Sequence, residues 1–305
     1  MTWMKRILLF VALNLLVITT VGLILHFFNV QPYISAYGLN HKSLLIFCFV
    51  WGMVGSTISL LLSRKMAKWM LRVQLVSNQD QLYQTVARLS KIAGLPATPQ
   101  VGIFHSKSPN AFATGPTKRR SLVAVSDALL DKMPPDQVEA VIAHELAHIK
   151  NGDMVTMTLL QGVVNAFVMF FARIAAFALN SALSRGNNRR SNHFGWTYYL
   201  TVMFFEVLFM ALGSLIICGY SRFREYRADA GGAQFAGKGK MIAALQNLER
   251  MHIEEKEQKL AAFMIASPKK HSLLRQLYST HPPLEKRIAR LQELRSYEFA
   301  SEQRF

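Results

Sequence analysis

The stretch Ala143-His144-Glu145-Leu146-Ala147-His148-Ile149 decides how this 305-residue chain is read. On a helix, two histidines four positions apart are turned by about 400° and leave nearly the same face, one turn apart. Two imidazoles so placed can share one tetrahedral metal ion. Glu145 directly follows the first, within reach of a water at that ion, where a carboxylate serves as base. His-Glu-x-x-His arises by chance in about 1% of chains of this composition. Pro134 and Pro135 suit a helix start, and Val138, Val141 and Ile142 supply an apolar face. The bland alternative is a buried helix with two hydrogen-bonded histidines, and it asks for no glutamate at 145. His144 and His148 are therefore candidate zinc ligands and Glu145 the candidate base. A third protein ligand is still required.

Outward from this helix the chain is strongly apolar, with 51% hydrophobic residues. Stretches 7–28, 44–62, 154–183 and 196–220 account for this, and each has enough residues to cross a bilayer. The first is longer than a signal-peptide core and has no A-x-A site after it, which favours a retained span. The first two carry no charge, whereas the third holds Arg173 and the fourth Glu206. Ionisable groups within a span face protein or a wet cavity. Arg173 and Glu206 either tie two helices together or line a hydrophilic chamber, and the sequence leaves both readings open. Lys5 and Arg6 before the first span, and Arg64, Lys65, Lys68 and Arg72 after the second, put both on the cytoplasmic face. Arg185, Arg189 and Arg190 oppose sending the third loop outside. The hairpin either crosses against this bias or dips in without crossing, and in both cases the chain returns to the face it left.

The net charge of +17 suits nucleic acid or anionic lipid. The basic clusters flank the spans and no nucleic-acid-binding motif occurs, so anionic membrane lipids are the expected partner and nucleic acid is not. Cys48 and Cys218 both lie in apolar spans and offer neither a disulfide framework nor paired ligand spacing. The expected fold is a mainly α membrane protein, with four hydrophobic helices and a cytosolic α+β catalytic domain holding a small β-sheet. Residues 1–63 supply two transmembrane helices, and 64–153 the first part of the catalytic domain. Residues 154–220 form a hydrophobic hairpin, and 221–305 carry the third ligand and C-terminal helices.

In order, 80–93 reads as an amphipathic helix, with Leu82, Val86, Leu89 and Ile92 on one side. Residues 100–105 and 121–125 read as short strands of a two- to four-stranded sheet, the second ending at a Ser126-Asp127 helix cap. The metal helix runs from about 135 to 150, stopped by Asn151-Gly152. Beyond the fourth span comes Ser221-Arg222-Phe223-Arg224-Glu225-Tyr226-Arg227-Ala228-Asp229. Glu225 and Asp229 share a helix face, and alone they would read as a salt-bridged surface. The metal helix lacks a ligand, however, and the hairpin returns Glu225 to the same membrane face, so Glu225 is the third ligand. Asp229 is placed to accept a ring N–H from a ligating histidine, and Asp153 is the alternative for that task. A helix is expected over 240–252, a solvated charged run over 254–259, and a short apolar run over 261–265 that touches the membrane or closes over the site. A terminal helix runs from Leu284 to about 294, followed by a frayed tail.

Together, HELAH followed by IKNGD, the hydrophobic hairpin, EYRAD, the upstream NAFATG and the late THPPLEKRI resemble the heat-shock membrane zinc metalloproteases. These are gluzincins related to the membrane CAAX prenyl protease. The resemblance spans nearly the whole chain. It implies one zinc ion per chain on His144, His148 and Glu225, with Glu145 as base and Asp229 supporting the ligands. It implies a multi-pass protein of the bacterial inner membrane, with catalytic domain and both termini cytoplasmic, that degrades misfolded or damaged membrane proteins. It further implies that Asn110, Ala111, Phe112 and Ala113 present a substrate-binding edge strand and that His281 and Arg287 lie near the site. Either of these two is the candidate donor to a tetrahedral oxyanion. The runner-up is a narrow-specificity processing peptidase for membrane-anchored substrates. A transporter built on Arg173 and Glu206, or a non-catalytic zinc scaffold, would need no glutamate beside the first ligand.

Overall fold

The computed structural model describes residues 34–35, 38–184, 196–263 and 277–294, with the backbone alone at 34–35, 38–39, 184 and 254–263. The first apolar stretch, Arg185, Arg189, Arg190, residues 264–265 and the tail after 294 lie outside the described residues.

A two-residue antiparallel ladder, β1 (Ile34–Ser35) with β2 (Gly38–Leu39), precedes α1 (His41–Met70). Asn40 caps α1 by accepting the Ser43 N–H at 3.1 Å. Two further long helices, α5 (Asp153–Ser184) and α6 (Trp196–Ala236), follow later in the chain. All three are long and apolar enough to cross a membrane. α1 packs on α5, and α5 on α6. Between the last two, Arg173 Nη1 donates to Glu206 Oε1 at 2.9 Å and to the Met169 carbonyl at 3.0 Å. This is the helix-to-helix tie that the sequence offered as one of two arrangements. α1 and α6 also run without a break across positions 63 and 220, where the sequence suggested domain limits.

A four-stranded mixed sheet stands beside the metal helix. Its strands are β3 (Gln74–Leu75), β4 (Gln100–Phe104), β5 (Ala111–Thr117) and β6 (Arg120–Ser126), in the order β3-β4-β6-β5. β4 runs parallel to β6, and β5 pairs antiparallel with β6, so β5 is an edge strand. Helix α2 (Gln81–Ile92) begins at the Asp80 cap, and α3 (Asp127–Lys132) at Ser126, whose hydroxyl accepts the Leu129 N–H. The metal helix, α4 (Pro135–Asn151), buries ten residues, among them Ile142, Leu146 and Ile149. These pack with Val86 and Leu89 of α2, Val123 and Val125 of β6, and Ala228 of α6. Each fully buried large aliphatic here contributes about 1.5–3 kcal/mol. α7 (Lys238–Phe263) supplies Met241 and Leu245, and α8 (Leu284–Glu293) supplies Ile288 and Leu291. α7 is longer than expected, because the charged run 254–259 continues the helix instead of leaving it.

Candidate metal centre

α4 carries both histidines on its buried face, and their rings stand edge to face with centroids 4.7 Å apart. Glu145 is half-buried between the buried His144 and Leu146, so it opens outward from the same turn. α6 crosses α4 at His144. A Cβ added at Gly232 would stand 3.1 Å from the His144 backbone nitrogen, so a larger residue there would push the helices apart by a few tenths of an ångström. That approach delivers Glu225, fully buried, to the two histidines. His144 Nε2 lies 3.7 Å from Glu225 Oε2, and His148 Nε2 lies 3.4 Å from Glu225 Oε1. Ligand atoms about 2.1 Å from a tetrahedral zinc stand about 3.4 Å apart, so this spacing fits a small metal ion. Glu225 Oε1 is buried and accepts no hydrogen bond, the Arg224 Nε standing 3.9 Å away. A carboxylate oxygen left bare inside a protein is costly unless a cation meets it. Two imidazoles and one carboxylate also form a ligand set that zinc takes. The residues therefore fit a metal ion.

The sequence offered Asp229 or Asp153 as the carboxylate behind a histidine, and both are so placed, one for each ring. His144 Nδ1 lies 3.0 Å from Asp229 Oδ1, and His148 Nδ1 lies 2.6 Å from Asp153 Oδ2. With Nδ1 engaged by a carboxylate, each ring presents its Nε2 to Glu225. Asp153 gets there through Gly152, whose φ of 73° ends α4 in a left-handed turn and swings the next residue back. Burial depresses the His144 imidazolium, but the bonds to Asp229 and Glu225 override it and raise the pKa to about 9. His148 is likewise raised, with Asp153 and then Glu225 outweighing burial. Proton and metal compete for these rings.

The two late residues lie in contact with this cluster. His281 Nδ1 stands 2.7 Å from Glu225 Oε2, with its side chain 63% exposed. Arg287 is buried and grips Asp229 with Nε and Nη2, at 2.7 and 2.6 Å. Burial disfavours the guanidinium charge, yet Asp229 more than restores it. Ala111, Phe112 and Ala113 lie in β5, which packs beside α4. Asn110 sits just before the strand, its N–H donating to Ser126 Oγ at 2.9 Å. The sequence reading passed over Arg222, three positions before Glu225, which donates to the carbonyls of Leu277 and Ser279. A basic residue one turn from a ligand was the available signal.

Residues 76–295 match Peptidase family M48. The chain is 47% identical to the Protease HtpX homolog of Bacillus licheniformis, over 94% of this chain and 99% of that protein. It is 44% identical to Protease HtpX of Chromohalobacter salexigens, over 95% of this chain and 98% of that one. Among solved structures, the crystal structure of S. mikatae Ste24p aligns with a TM-score of 0.61 over 94% of this chain and 67% of the other. At 18% identity that likeness is one of fold. With the buried His-His-Glu cluster and the three apolar helices, these matches place the chain in Peptidase family M48, as a membrane metalloprotease.

Proposed function

We propose that one zinc ion is held by His144, His148 and Glu225 and that the chain hydrolyses peptide bonds of misfolded or damaged membrane proteins. The observation that carries this reading is the bare, buried Oε1 of Glu225 facing His148 Nε2. When bound, zinc would lower the pKa of water towards about 7 and polarise a peptide carbonyl. Glu145 takes the proton of the attacking water and passes it to the leaving amine. Its half-exposed position on an otherwise buried turn supports that task. Asp229 and Asp153 hold the two imidazoles in orientation. Arg287 spends two nitrogens on Asp229, which favours a positioning task for it. His281 engages Glu225 through Nδ1, and in its imidazolium form the ring also presents an Nε2–H as donor to a developing oxyanion.

Substrate binds extended beside β5, adding a strand to the sheet edge through backbone pairing with little demand on sequence. That mode suits quality control. The site lies at the cytoplasmic face of a bacterial inner membrane, with both termini on that side. The basic residues after the span in α1 support this and draw anionic lipids, at about 1 kcal/mol each. Cleavage of a panel of unrelated unfolded polypeptides and of membrane-anchored segments by purified protein tests the substrate reading. Cleavage of many sequences supports a broad protease. Cleavage of a single anchored class would replace it with a processing peptidase.

A further inference from the structure

The C-terminal segment reaches the metal centre along one stripe of α6. Ala211, Cys218, Arg222, Glu225 and Asp229 recur at steps of 7, 4, 3 and 4, which keeps them on a single helix face. Each meets the segment 277–287 in turn. The Tyr278 hydroxyl donates to the Ala211 carbonyl at 3.2 Å, and the Cys218 thiol donates to the Tyr278 carbonyl at 3.5 Å. Arg222 Nη1 donates to the carbonyls of Leu277 and Ser279, at 2.7 and 2.8 Å. The Ser279 hydroxyl donates to the His281 carbonyl at 2.6 Å, closing the turn before Pro282. His281 then meets Glu225, and Arg287 meets Asp229. Leu277 and Tyr278 are 46% and 43% exposed, so little packing holds this strap from outside. A guanidinium shared between two carbonyls makes charge-assisted bonds, stronger than the neutral ones from Tyr278 and Cys218.

We propose that Arg222 is a positioning residue: by clamping the backbone at 277 and 279, it sets His281 on Glu225 and so orients the carboxylate toward the two histidines. It touches no reacting atom and acts only through His281. The proposal rests on the reading of Glu225 as a metal ligand.

The test is a zinc-competition titration of the purified full chain, with Arg222→Gln, His281→Ala and the double variant beside wild type. Thermal melting and the absorption spectrum of the cobalt-loaded forms are recorded for each. Loss of a group behind a metal ligand weakens binding by 10-fold or more in general. Each single variant is expected to lose about 10-fold in zinc affinity. The double variant loses no more than the larger single, because Arg222 works through His281. Arg222→Lys, which keeps one donor, falls between Arg222→Gln and wild type. Additive losses overturn the proposal, as does wild-type affinity in Arg222→Gln while His281→Ala is weakened. Wild-type affinity in His281→Ala removes the link between His281 and Glu225 and overturns it too. Loss of all zinc from Glu225→Ala, measured alongside, tests the underlying ligand assignment separately. A drop in melting temperature with an unchanged cobalt spectrum would make Arg222 merely structural.

Discussion

Among the described residues, the half-buried Arg173–Glu206 pair and the buried cluster around Glu225 differ in whether they close on themselves. Arg173 and Glu206, between α5 and α6, meet at 2.9 Å, and one positive charge answers one negative charge. The cluster around Glu225 holds three carboxylates and two guanidiniums, Arg287 and the more distant Arg224 at 3.9 Å, with His144, His148 and His281 between them. Arg287 and Asp229 satisfy each other there, and the Nδ1 atoms of His144 and His148 are taken by carboxylates. Two carboxylate oxygens remain without a hydrogen bond, Asp153 Oδ1 and Glu225 Oε1, and the second stands 3.4 Å from His148 Nε2 in the group that could hold a metal ion. A closed pair is a tie, whereas an open set is a valence for a cation. The same rule, that buried charge is paired or coordinates a metal, gives opposite functions according to what is left over.

The comparison can be broken most severely at the open cluster. Glu225→Ala removes the oxygen that completes the set. Zinc measured after dialysis should fall from one per chain towards none, and cleavage should vanish with it. Full zinc occupancy in that variant would move the third ligand elsewhere. The closed pair should respond in stability instead. Arg173→Met strands Glu206 and costs about 3 kcal/mol, read as a lowered unfolding midpoint in detergent with zinc content unchanged. Adding Glu206→Leu should restore most of that loss, since an apolar pair leaves no charge behind. A double variant as unstable as the single would give the pair a task other than tying helices.

A subtler break lies at the back of the open cluster. Asp229→Asn weakens the hold on both His144 and Arg287, and zinc affinity should drop between 10- and 100-fold. Glu139 sharpens the contrast at the surface, where it bonds α4 to Arg88 at 2.8 Å and to Lys240 at 2.9 Å. Burial works against its charged form, but Lys240 and Arg88 override this and hold its carboxyl below the usual range. A depressed folded-state value gives stability that is present above the unfolded pKa and is lost as pH falls through the folded one. Glu139→Gln should therefore lose about 1 kcal/mol at pH 7 and nothing well below pH 4, seen by thermal melting at the two pH values. An equal loss at both would point to packing.

Much of the site was legible because it obeys helical spacing. His144, His148, Glu145 and the Glu225–Asp229 pair are each readable as residues on one face of one helix. The two strands read from pattern, 100–105 and 121–125, came within a residue of their observed ends, whereas β3 (Gln74–Leu75) was not read and β5 was expected only by resemblance. Contacts that depend on how helices cross were harder to read. Nothing local says that Asp153 folds back on His148, except the Gly152 that turns the chain. The length of α7 was missed because a charged run is as good a helix former as it is a solvated loop. Arg287 and His281 were expected near the site only by resemblance, and their partners on α6 follow from the path of the strap, which no periodicity encodes.

The most direct test compares wild type with Glu145→Ala, both confirmed zinc-loaded, in the cleavage of an unfolded polypeptide by purified protein. With Glu145 as the proposed base and not a ligand, the variant should bind zinc as wild type does and cleave at least about 100-fold more slowly. Equal cleavage, or loss of zinc from Glu145→Ala, would contradict the account.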